Sequence, residues 1–337
     1  MPNLTMLPRA RLREVLAGQA RFVGSRFDRE KPRGVLSPIE PRLKMGIPYG
    51  DLRAAEEEYL ARRSLRRDFG VVLRSALAWT LSPSHRATAS RRPFIVSAQV
   101  DNLSIDEAVA SILDARETRR GRLVFFVHAH ALNLARFNRA YRHVLERADV
   151  LLADGIGIRL AGRMLGVAMR HNVNGTDLFP ILCREAAQRG VPVVLVGGAP
   201  GVAAECARRM AAQTPGLTVP FTSPGYFATE ATSRAVAEQI RTLGRALVLV
   251  GMGSPRQEEW AARHLGDLPG VTVLTVGGLF DFYSGRIRRA PVFWREAGLE
   301  WAYRMLQEPR RLAKRYLVGN PLFLALALEQ RLRGRRG

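Results

Sequence analysis

The pattern Asp154-Gly-Ile-Gly157 places a carboxylate directly after an apolar run, Val150–Ala153. Short apolar runs bounded by turn residues are typical of buried strands, so this carboxylate lies where a strand ends. Apolar surroundings raise the pKa of a carboxyl group, and glycine lets a substrate approach the backbone. Asp154 is therefore a candidate general base, with Gly155 beside the substrate. The spacing equally allows Asp154 to cap a helix that begins at Ile158.

A polar turn follows a second apolar run, residues 246–250, in the segment Gly251-Met-Gly-Ser-Pro-Arg-Gln-Glu-Glu-Trp260. A strand that enters a small-residue turn and then a helix is how open α/β sheets build nucleotide pockets. Ser254, Gln257 and Glu258 add side chains that can hydrogen-bond a ring or a sugar. The segment therefore predicts one wall of a nucleotide site, with Gly251 at its start.

Two histidines, His128 and His130, follow a third apolar run, residues 123–127, and Asn133 comes one turn later. Paired histidines suggest a metal, but a metal site needs three or more protein ligands, and no third ligand has a recognisable spacing. We therefore expect polar residues at the edge of a pocket and no metal site.

A glycine-rich turn, which begins with Gly197 and Gly198, follows the apolar run 191–196. Its backbone N–H groups and the helix start behind it can bind phosphate. The turn lacks the full G-x-G-x-x-G pattern and lies mid-domain, so it supports a dinucleotide site only weakly. No P-loop pattern occurs in the chain.

Acidic and amide side chains mark two more turns. In Asn174-Gly-Thr-Asp177 the first two residues indicate a tight turn, and Thr176 or Asp177 is a candidate helix cap. Asp281 follows the apolar run 271–276, where it can bind ligand hydroxyls or cap a helix.

These turns need a sheet whose strands all end at one edge. Between residues 93 and 285, apolar runs typical of strands alternate with Ala-rich runs typical of helices. Residues 94–100 are predicted to form a first strand. Ser104 and Glu107 have the spacing of a capping box at the start of a helix. This pattern predicts an α/β fold, a Rossmann-like, mostly parallel sheet with helices on both faces, plus a basic C-terminal helical appendage. Ligands of such sheets bind beyond the carboxyl ends of the strands.

The net charge of +22 is concentrated at the two ends of the chain. Residues 1–92 hold 19 Lys and Arg against 9 Asp and Glu, and residues 286–337 hold 13 against 4. We expect a basic, partly disordered N-terminal extension (1–92), an α/β core (93–285) and a basic membrane-associating appendage (286–337). Their charge indicates an anionic partner, such as lipid headgroups or a pyrophosphate.

Two features bear on location. The 2 cysteines fit a reducing cytoplasm, and no run has the roughly 18–20 apolar residues that span a bilayer. The segment 70–81 reads either as a short amphipathic helix that contacts a membrane or as a helix that packs on the domain.

Six motifs occur in a fixed order along the chain. They are Ala153-Asp-Gly-Ile-Gly157, Asn174-Gly-Thr-Asp-Leu178, Gly197-Gly198 with Pro200-Gly201, Gly251-Met-Gly-Ser-Pro-Arg-Gln-Glu258, Arg289-Ala-Pro291, and Glu300-Trp-Ala-Tyr-Arg304 with Glu308-Pro-Arg-Arg311. Together they resemble the WecG/TagA/CpsF glycosyltransferase family (glycosyltransferase family 26) over residues 94–320.

The resemblance implies an inverting, metal-independent and cofactor-free transfer of a sugar of the N-acetylmannosamine or uronic acid type. The donor would be a UDP-sugar, and the acceptor a polyprenyl-diphosphate-linked saccharide, in cell-surface polysaccharide biosynthesis. Asp154 would be the base, and Gln257 and Glu258 would hold the donor. The C-terminal appendage would bind the anionic inner face of the cell membrane from the cytoplasm. Its arginines would close over the diphosphate; the best matches are Arg289, Arg304 and Arg311.

Two positions depart from the family pattern. His128 and His130 stand where many members carry Thr and Asn, so His128 is an alternative proton acceptor. Asn172, with Arg170 nearby, stands where many members carry Arg, which leaves the donor sugar open. A nucleotide-cofactor-dependent oxidoreductase is the alternative function. No nucleic acid partner is expected, because no recognition helix, RNP motif or zinc spacing occurs; the oligomeric state is open, a homo-oligomer included.

Overall fold

The computed structural model describes residues 21–25, 34–45, 52–81, 90–113, 120–170 and 172–334, together with positions 15, 17, 27 and 47. The chain forms two compact units. The N-terminal unit comprises Met1–Ser82 and Ala290–Glu300, and the α/β unit comprises Pro83–Arg289 and Trp301–Gly337. The short segment 290–300 thus groups with the N-terminal residues, whereas its neighbours on both sides belong to the α/β unit.

The N-terminal unit combines a small sheet with helices. Strands β1 (Arg21–Val23) and β2 (Gly34–Leu36) pair in parallel, and the helices are α1 (Glu40–Met45), α2 (Leu52–Ala61) and α3 (Leu65–Leu81). The buried Glu56 carboxylate accepts hydrogen bonds from the hydroxyls of Ser25 (2.6 Å) and Ser37 (2.9 Å), which links α2 to the residues that follow the two strands. Residues 1–92 are expected to be partly disordered, and some of these positions lie outside the described residues.

A six-stranded parallel sheet forms the centre of the α/β unit, in the order β6-β5-β10-β9-β7-β8. Its strands are β5 (Arg122–Val127), β6 (Val150–Ala153), β7 (Val193–Gly197), β8 (Phe221–Ser223), β9 (Ala246–Gly251) and β10 (Val271–Thr275). The parallel α/β sheet predicted from the sequence is confirmed. Only β8 was not predicted, because three residues carry too little periodicity.

Helices cover both faces of this sheet. They are α4 (Ile105–Ile112), α5 (Ala129–Phe137), α6 (Arg139–Glu146), α7 (Ile156–Met164), α8 (Gly175–Gln188), α9 (Val202–Gln213), α10 (Glu230–Thr242), α11 (Arg256–His264) and α12 (Leu279–Tyr283). Two apolar clusters, one around Tyr141 and Trp260 and the other around Phe126 and Phe179, divide the core. The predicted capping box of α4 is present, since the Ser104 hydroxyl accepts from the Glu107 N–H and the Glu107 carboxylate from the Ser104 N–H.

The predicted strand over residues 94–100 is wrong, because these residues form a tight antiparallel hairpin. Its strands are β3 (Phe94–Ile95) and β4 (Ala98–Gln99), and Val96 turns the chain with φ of 60°. A β-branched residue rarely takes a positive φ, so an alternating apolar pattern gives no sign of this turn.

The C-terminal segment, residues 292–333, is helical. Helix α13 (Val292–Glu296) belongs to the N-terminal unit and is followed by α14 (Glu300–Gln307), α15 (Pro309–Ala313), a π-helical turn (Lys314–Val318) and α16 (Gly319–Arg333). Helix α16 packs on α5 and α7, and its Phe323 and Ala327 are fully buried in the core. The Gln330 amide accepts from the Val96 N–H and donates to the Phe94 carbonyl, both at 2.8 Å.

Within the described part of the chain, none of the helices has both the length and the apolar character that crossing a bilayer requires.

Candidate active site

The turn after β6 holds Asp154 beside an open position. Gly155, with φ of 90°, is the N-cap of α7, and the helix begins at Ile156. The alternative in which Asp154 caps a helix at Ile158 is therefore wrong. A Cβ on Gly155 would meet no atom of the described residues within 4 Å. The half-buried Asp154 thus lies next to a surface where a ligand can approach the backbone.

Asn172 fixes the same turn. Its side-chain oxygen accepts a hydrogen bond from the Gly155 N–H at 3.0 Å. Arg170, by contrast, forms an ion pair with Glu107 at 2.6 Å on the exposed surface. Asn172, and not Arg170, is therefore the polar side chain that the loop after α7 brings to this turn.

His128 directly follows β5, the strand that pairs with β6, and both of its ring nitrogens face N–H groups. Nδ1 accepts from the Ala131 N–H at 3.0 Å as the N-cap of α5, and the Arg315 guanidinium lies 2.6 Å from Nε2. A neutral imidazole has one N–H and one lone pair, so it cannot accept at both positions. Neither nitrogen is therefore directed at a ligand in this arrangement.

Burial and the Arg315 charge keep both histidines neutral near pH 7. Burial, followed by Arg315 and His130, lowers the pKa of His128 well below its ordinary value. Burial and Arg315 also lower the pKa of His130 to about 4. The two rings stack with their centroids 6.0 Å apart. Asn133 is buried behind them and donates to the Gly319 carbonyl at 2.7 Å, which anchors the start of α16.

The glycine turns after β7 and β9 touch each other through their backbones. A Cβ on Gly197 would lie 2.4 Å from the Gly251 carbonyl oxygen, and the Gly198 N–H donates to that oxygen at 3.0 Å. Gly197, Gly198 and Gly251 therefore permit two strand ends to meet. Their lack of side chains, which predicted a phosphate contact, has this packing reason as well.

Gln257 and Glu258 are buried inside the wall that the sequence predicted, and their polar atoms are engaged there. The Gln257 carbonyl accepts from the N–H groups of Gly253 (3.1 Å) and Gly277 (3.0 Å), so it joins the turns after β9 and β10. Glu258 accepts from the Gln257 amide (2.7 Å), the Ser254 hydroxyl (3.0 Å) and the Tyr141 hydroxyl (3.2 Å). Burial raises the pKa of Glu258 to about 7.

Asn174 caps helix α8. Its side-chain oxygen accepts from the Asp177 N–H at 2.8 Å, so the predicted tight turn, and the cap assigned to Thr176 or Asp177, are wrong. The Asp177 carboxylate accepts from Asn174 (2.8 Å) and from the Arg289 guanidinium (2.6 Å). The Thr176 carbonyl accepts from the Tyr283 hydroxyl at 2.6 Å. This group holds the loop after α12 against the start of α8.

Arg304 lies over the turn after β10. A Cβ on Gly278 would lie 2.5 Å from its guanidinium, which also sits 4.5 Å from the centroid of the Phe282 ring. Asp281 lies within α12, three residues after the N-cap residue Gly278, so the prediction that Asp281 lies at a strand end is wrong. The Asp281 carboxylate is 3.9 Å from the Arg304 guanidinium. Glu308 lies 3.4 Å from Arg304 and also pairs with the exposed Arg311. Burial lowers the pKa of Arg304.

One aromatic side chain at this edge was not predicted from the sequence. Tyr226 follows β8 and is 66% exposed as a residue, and the Arg256 guanidinium lies 5.7 Å from the centroid of its ring. The preceding Gly225 donates to the Gly198 carbonyl at 3.0 Å, which brings Tyr226 to the glycine turns. A single Tyr in an irregular segment gives no periodic signal. Arg315 and Tyr141 were also missed as site residues.

Among the residues described, no three His, Cys, Asp or Glu side chains come together in a group that could hold a metal ion. Guanidinium groups at this edge include those of Arg256, Arg289, Arg304 and Arg315.

The site is thus a continuous row of turns at the carboxyl edge of one parallel sheet, with an aspartate at one end and arginines along it. A comparison with known families finds that the model of the glycosyl transferase WecG/TagA/CpsF family matches residues 94–337. The match spans more than half of the chain, contains all of these turns and confirms the family predicted from the six motifs; the alternative of an oxidoreductase is not supported. The chain therefore belongs to the WecG/TagA/CpsF family and is a glycosyltransferase of cell-surface polysaccharide synthesis.

Proposed function

We propose that the protein transfers a sugar of the N-acetylmannosamine or uronic acid type from a UDP-sugar to a polyprenyl-diphosphate-linked saccharide, with inversion. The observation that carries this proposal is the turn after β6. There Asp154 is not the cap of α7, and the surface at Gly155 is open. A base at that position can approach an acceptor hydroxyl that reaches the sheet edge.

Asp154 accepts the hydroxyl proton as the acceptor oxygen attacks the anomeric carbon. The bond between that carbon and the β-phosphate oxygen breaks, and its electron pair leaves with UDP. His128 is the less suitable base because Ala131 and Arg315 face its ring nitrogens and burial disfavours its charged form. We assign it a positioning role toward Arg315.

Arginines meet the charge that develops on the diphosphate. Arg304 lies over the turn at Gly278 and is largely withdrawn from water, where its interaction with an anion is stronger than on the surface. Arg289 is paired with Asp177, so it supports the loop after α12, whereas the exposed Arg311 is accessible to the acceptor diphosphate. We therefore expect Arg304 to contribute most to leaving-group stabilisation.

Gln257 and Glu258 hold the donor wall in place, because their polar atoms bond the turn itself. The group that reaches outward near this wall is Tyr226, whose exposed ring offers a face on which a uracil base can stack. Alanine substitution of a stacking aromatic costs about 1–3 kcal/mol. Tyr226→Ala should therefore weaken UDP binding by about 5–150-fold, and Tyr226→Phe should preserve it.

The acceptor lipid places the reaction at a membrane, on the cytoplasmic face. The exposed Leu317 and Val318 follow Lys314 and Arg315 in the π-helical turn, which supports a basic and apolar contact at the C-terminal end. A peripheral position of this kind would bring the acceptor diphosphate to Arg311.

A donor screen tests the proposal. The purified full chain is incubated in detergent with a polyprenyl-diphosphate acceptor and a panel of UDP-sugars, and UDP release and the product anomer are measured. We expect one N-acetylmannosamine-type donor to release UDP with inversion, in an acceptor-dependent reaction. Release from no member of the panel, or a retained anomeric configuration, would contradict the proposal.

A further inference from the structure

Helix α3 of the N-terminal unit exposes a row of large apolar side chains. Leu65, Phe69, Leu73 and Leu77 are 87%, 69%, 46% and 37% exposed. They recur every four residues, so they lie along one side of the helix. We call these four residues the α3 stripe.

The side of α3 opposite the stripe is buried, yet it carries more polar residues than the stripe does. Asp68 and Ser75 are buried there beside Val71 and Ala78. The Asp68 carboxylate accepts from Arg63 Nε at 2.8 Å and from the Tyr59 hydroxyl at 3.2 Å. A surface helix normally buries its apolar side and exposes its polar side. Here the order is reversed, which indicates that a partner covers the α3 stripe.

The first turns of α3 carry positive charge where a helix least favours it. Arg62, Arg63, Arg66 and Arg67 precede or begin the helix, whose N-terminus carries the positive end of the macrodipole. Asp68 compensates Arg63, while Arg66 and Arg67 are exposed. An anionic partner would interact favourably with both the helix dipole and these arginines.

Helix α13, which contacts α3, also exposes apolar side chains. Arg74 pairs with Glu296 at 2.9 Å, and its guanidinium lies 5.1 Å from the centroid of the Phe293 ring. Its charge is thereby compensated within the unit. Phe293 and its neighbour Val292 are themselves exposed. The N-terminal unit thus presents apolar side chains from two helices that contact each other.

We propose that the α3 stripe docks on an anionic lipid surface, with α3 lying in the plane of the interface. A helix that inserts apolar side chains at the headgroup boundary while arginines contact anionic headgroups has this composition. A second copy of the chain fits less well, because a stable protein interface uses about 20–30 residues a side. The stripe precedes the residues that match the family, 94–337, so this contact would be additional to the core enzyme.

Vesicle co-sedimentation of the full chain tests this proposal. We expect binding to vesicles that contain phosphatidylglycerol, and much weaker binding to pure phosphatidylcholine. The double variant Phe69→Ala/Leu73→Ala should reduce the partition coefficient by about tenfold. The matched control is Phe137→Ala, which removes a side chain of similar exposure (67%) on α5 and should change binding less than about twofold.

A second measurement does not depend on the strength of binding. Cys183 and Cys206 are buried, so Leu73→Cys can be labelled selectively with an environment-sensitive dye. Its emission should shift to the blue with anionic vesicles and not with phosphatidylcholine. Wild-type binding by the double variant together with an unshifted dye would overturn the proposal, as would a wild-type dimer that the double variant converts to a monomer.

The inference is independent of the proposed catalysis. In detergent, with the acceptor dissolved, Phe69→Ala/Leu73→Ala should keep wild-type turnover. Loss of vesicle binding with full activity in detergent supports the docking surface, whereas an inactive wild type that still binds vesicles through α3 contradicts only the proposed reaction.

Discussion

Two turns at the same sheet edge use their polar residues in opposite ways. After β6, Asp154 leaves the helix cap to Gly155 and stands beside an open position. After β9, Gln257 and Glu258 are buried and bond the turns around them. A polar residue at a strand end can therefore lie beside an open backbone position or be buried within the wall, and the burial of its side chain tells the two apart.

The comparison is tested most severely at Asp154. Asp154→Asn removes the proposed proton acceptor, and a general base contributes about 10²–10⁴-fold to a rate. We expect a loss of that size in turnover, measured as UDP release, with little change in donor KM. Asp281→Asn is the matched control, since this carboxylate is 3.9 Å from Arg304 and should lower turnover by less than about tenfold. If Asp154→Asn retained near-wild-type turnover and His128→Ala did not, the assignment of the base would be reversed.

Gln257 tests the other turn. Gln257→Ala leaves the N–H groups of Gly253 and Gly277 without their acceptor. An unsatisfied N–H group costs about 1–3 kcal/mol when it is fully buried. These two groups are only partly buried, so we expect the free energy of unfolding in urea to fall by about 2–4 kcal/mol, below the sum for two fully buried groups. A Gln257→Ala protein of unchanged stability but strongly weakened UDP binding would instead place this side chain on the ligand.

Glu258 makes the stability of the turn after β9 depend on pH. Burial raises the pKa of Glu258 from 4.5 to about 7, so the folded protein retains a proton that the unfolded chain releases. Its contribution to stability is complete below about pH 4.5 and is lost as the pH rises to about 7. Glu258→Gln does not titrate, so its stability relative to wild type should rise over this window by at most about 3 kcal/mol. Thermal unfolding of both proteins at several pH values checks this; a constant difference would contradict the burial of an ionisable Glu258.

The smallest expected effect is at Arg315. Arg315→Gln removes a positive charge next to His128 and His130, so the pKa of both should rise. Burial, the larger cause, remains, and we expect both values to stay below those of free histidine. Imidazole NMR shifts followed against pH measure this directly. An unchanged His128 would show that Arg315 does not approach the ring in solution.

Local pattern was enough to predict the sheet, the capping box of α4 and the sheet edge at which the candidate residues gather. Apolar runs and glycine turns are read from neighbouring residues, and parallel strands bring their carboxyl ends together whatever the details. The hairpin at Val96 was missed because its backbone conformation is exceptional for valine.

The roles of the site residues depended on partners far away in the sequence. Tyr141 bonds Glu258 across 117 residues, and Arg315 approaches His128 across 187. Neither pairing has a local signal, so the sequence predicted Glu258 as a sugar contact and left His128 open as a base. The stripe on α3 was predicted only in part: the sequence indicated an amphipathic helix over residues 70–81 that either contacts a membrane or packs on the domain, and Leu65 and Phe69 lie outside that segment.

The two hydrogen bonds between the Gln330 side chain and the hairpin have a consequence for the synthesis of the protein. The Phe94 and Val96 backbone groups bond to a side chain 236 and 234 residues later, and Phe323 enters the same core. During synthesis α5 and α7 must keep an apolar surface uncovered until α16 leaves the ribosome. A truncated mRNA that ends before the codons of α16 would therefore give a chain that exposes this apolar surface and is prone to aggregation or degradation.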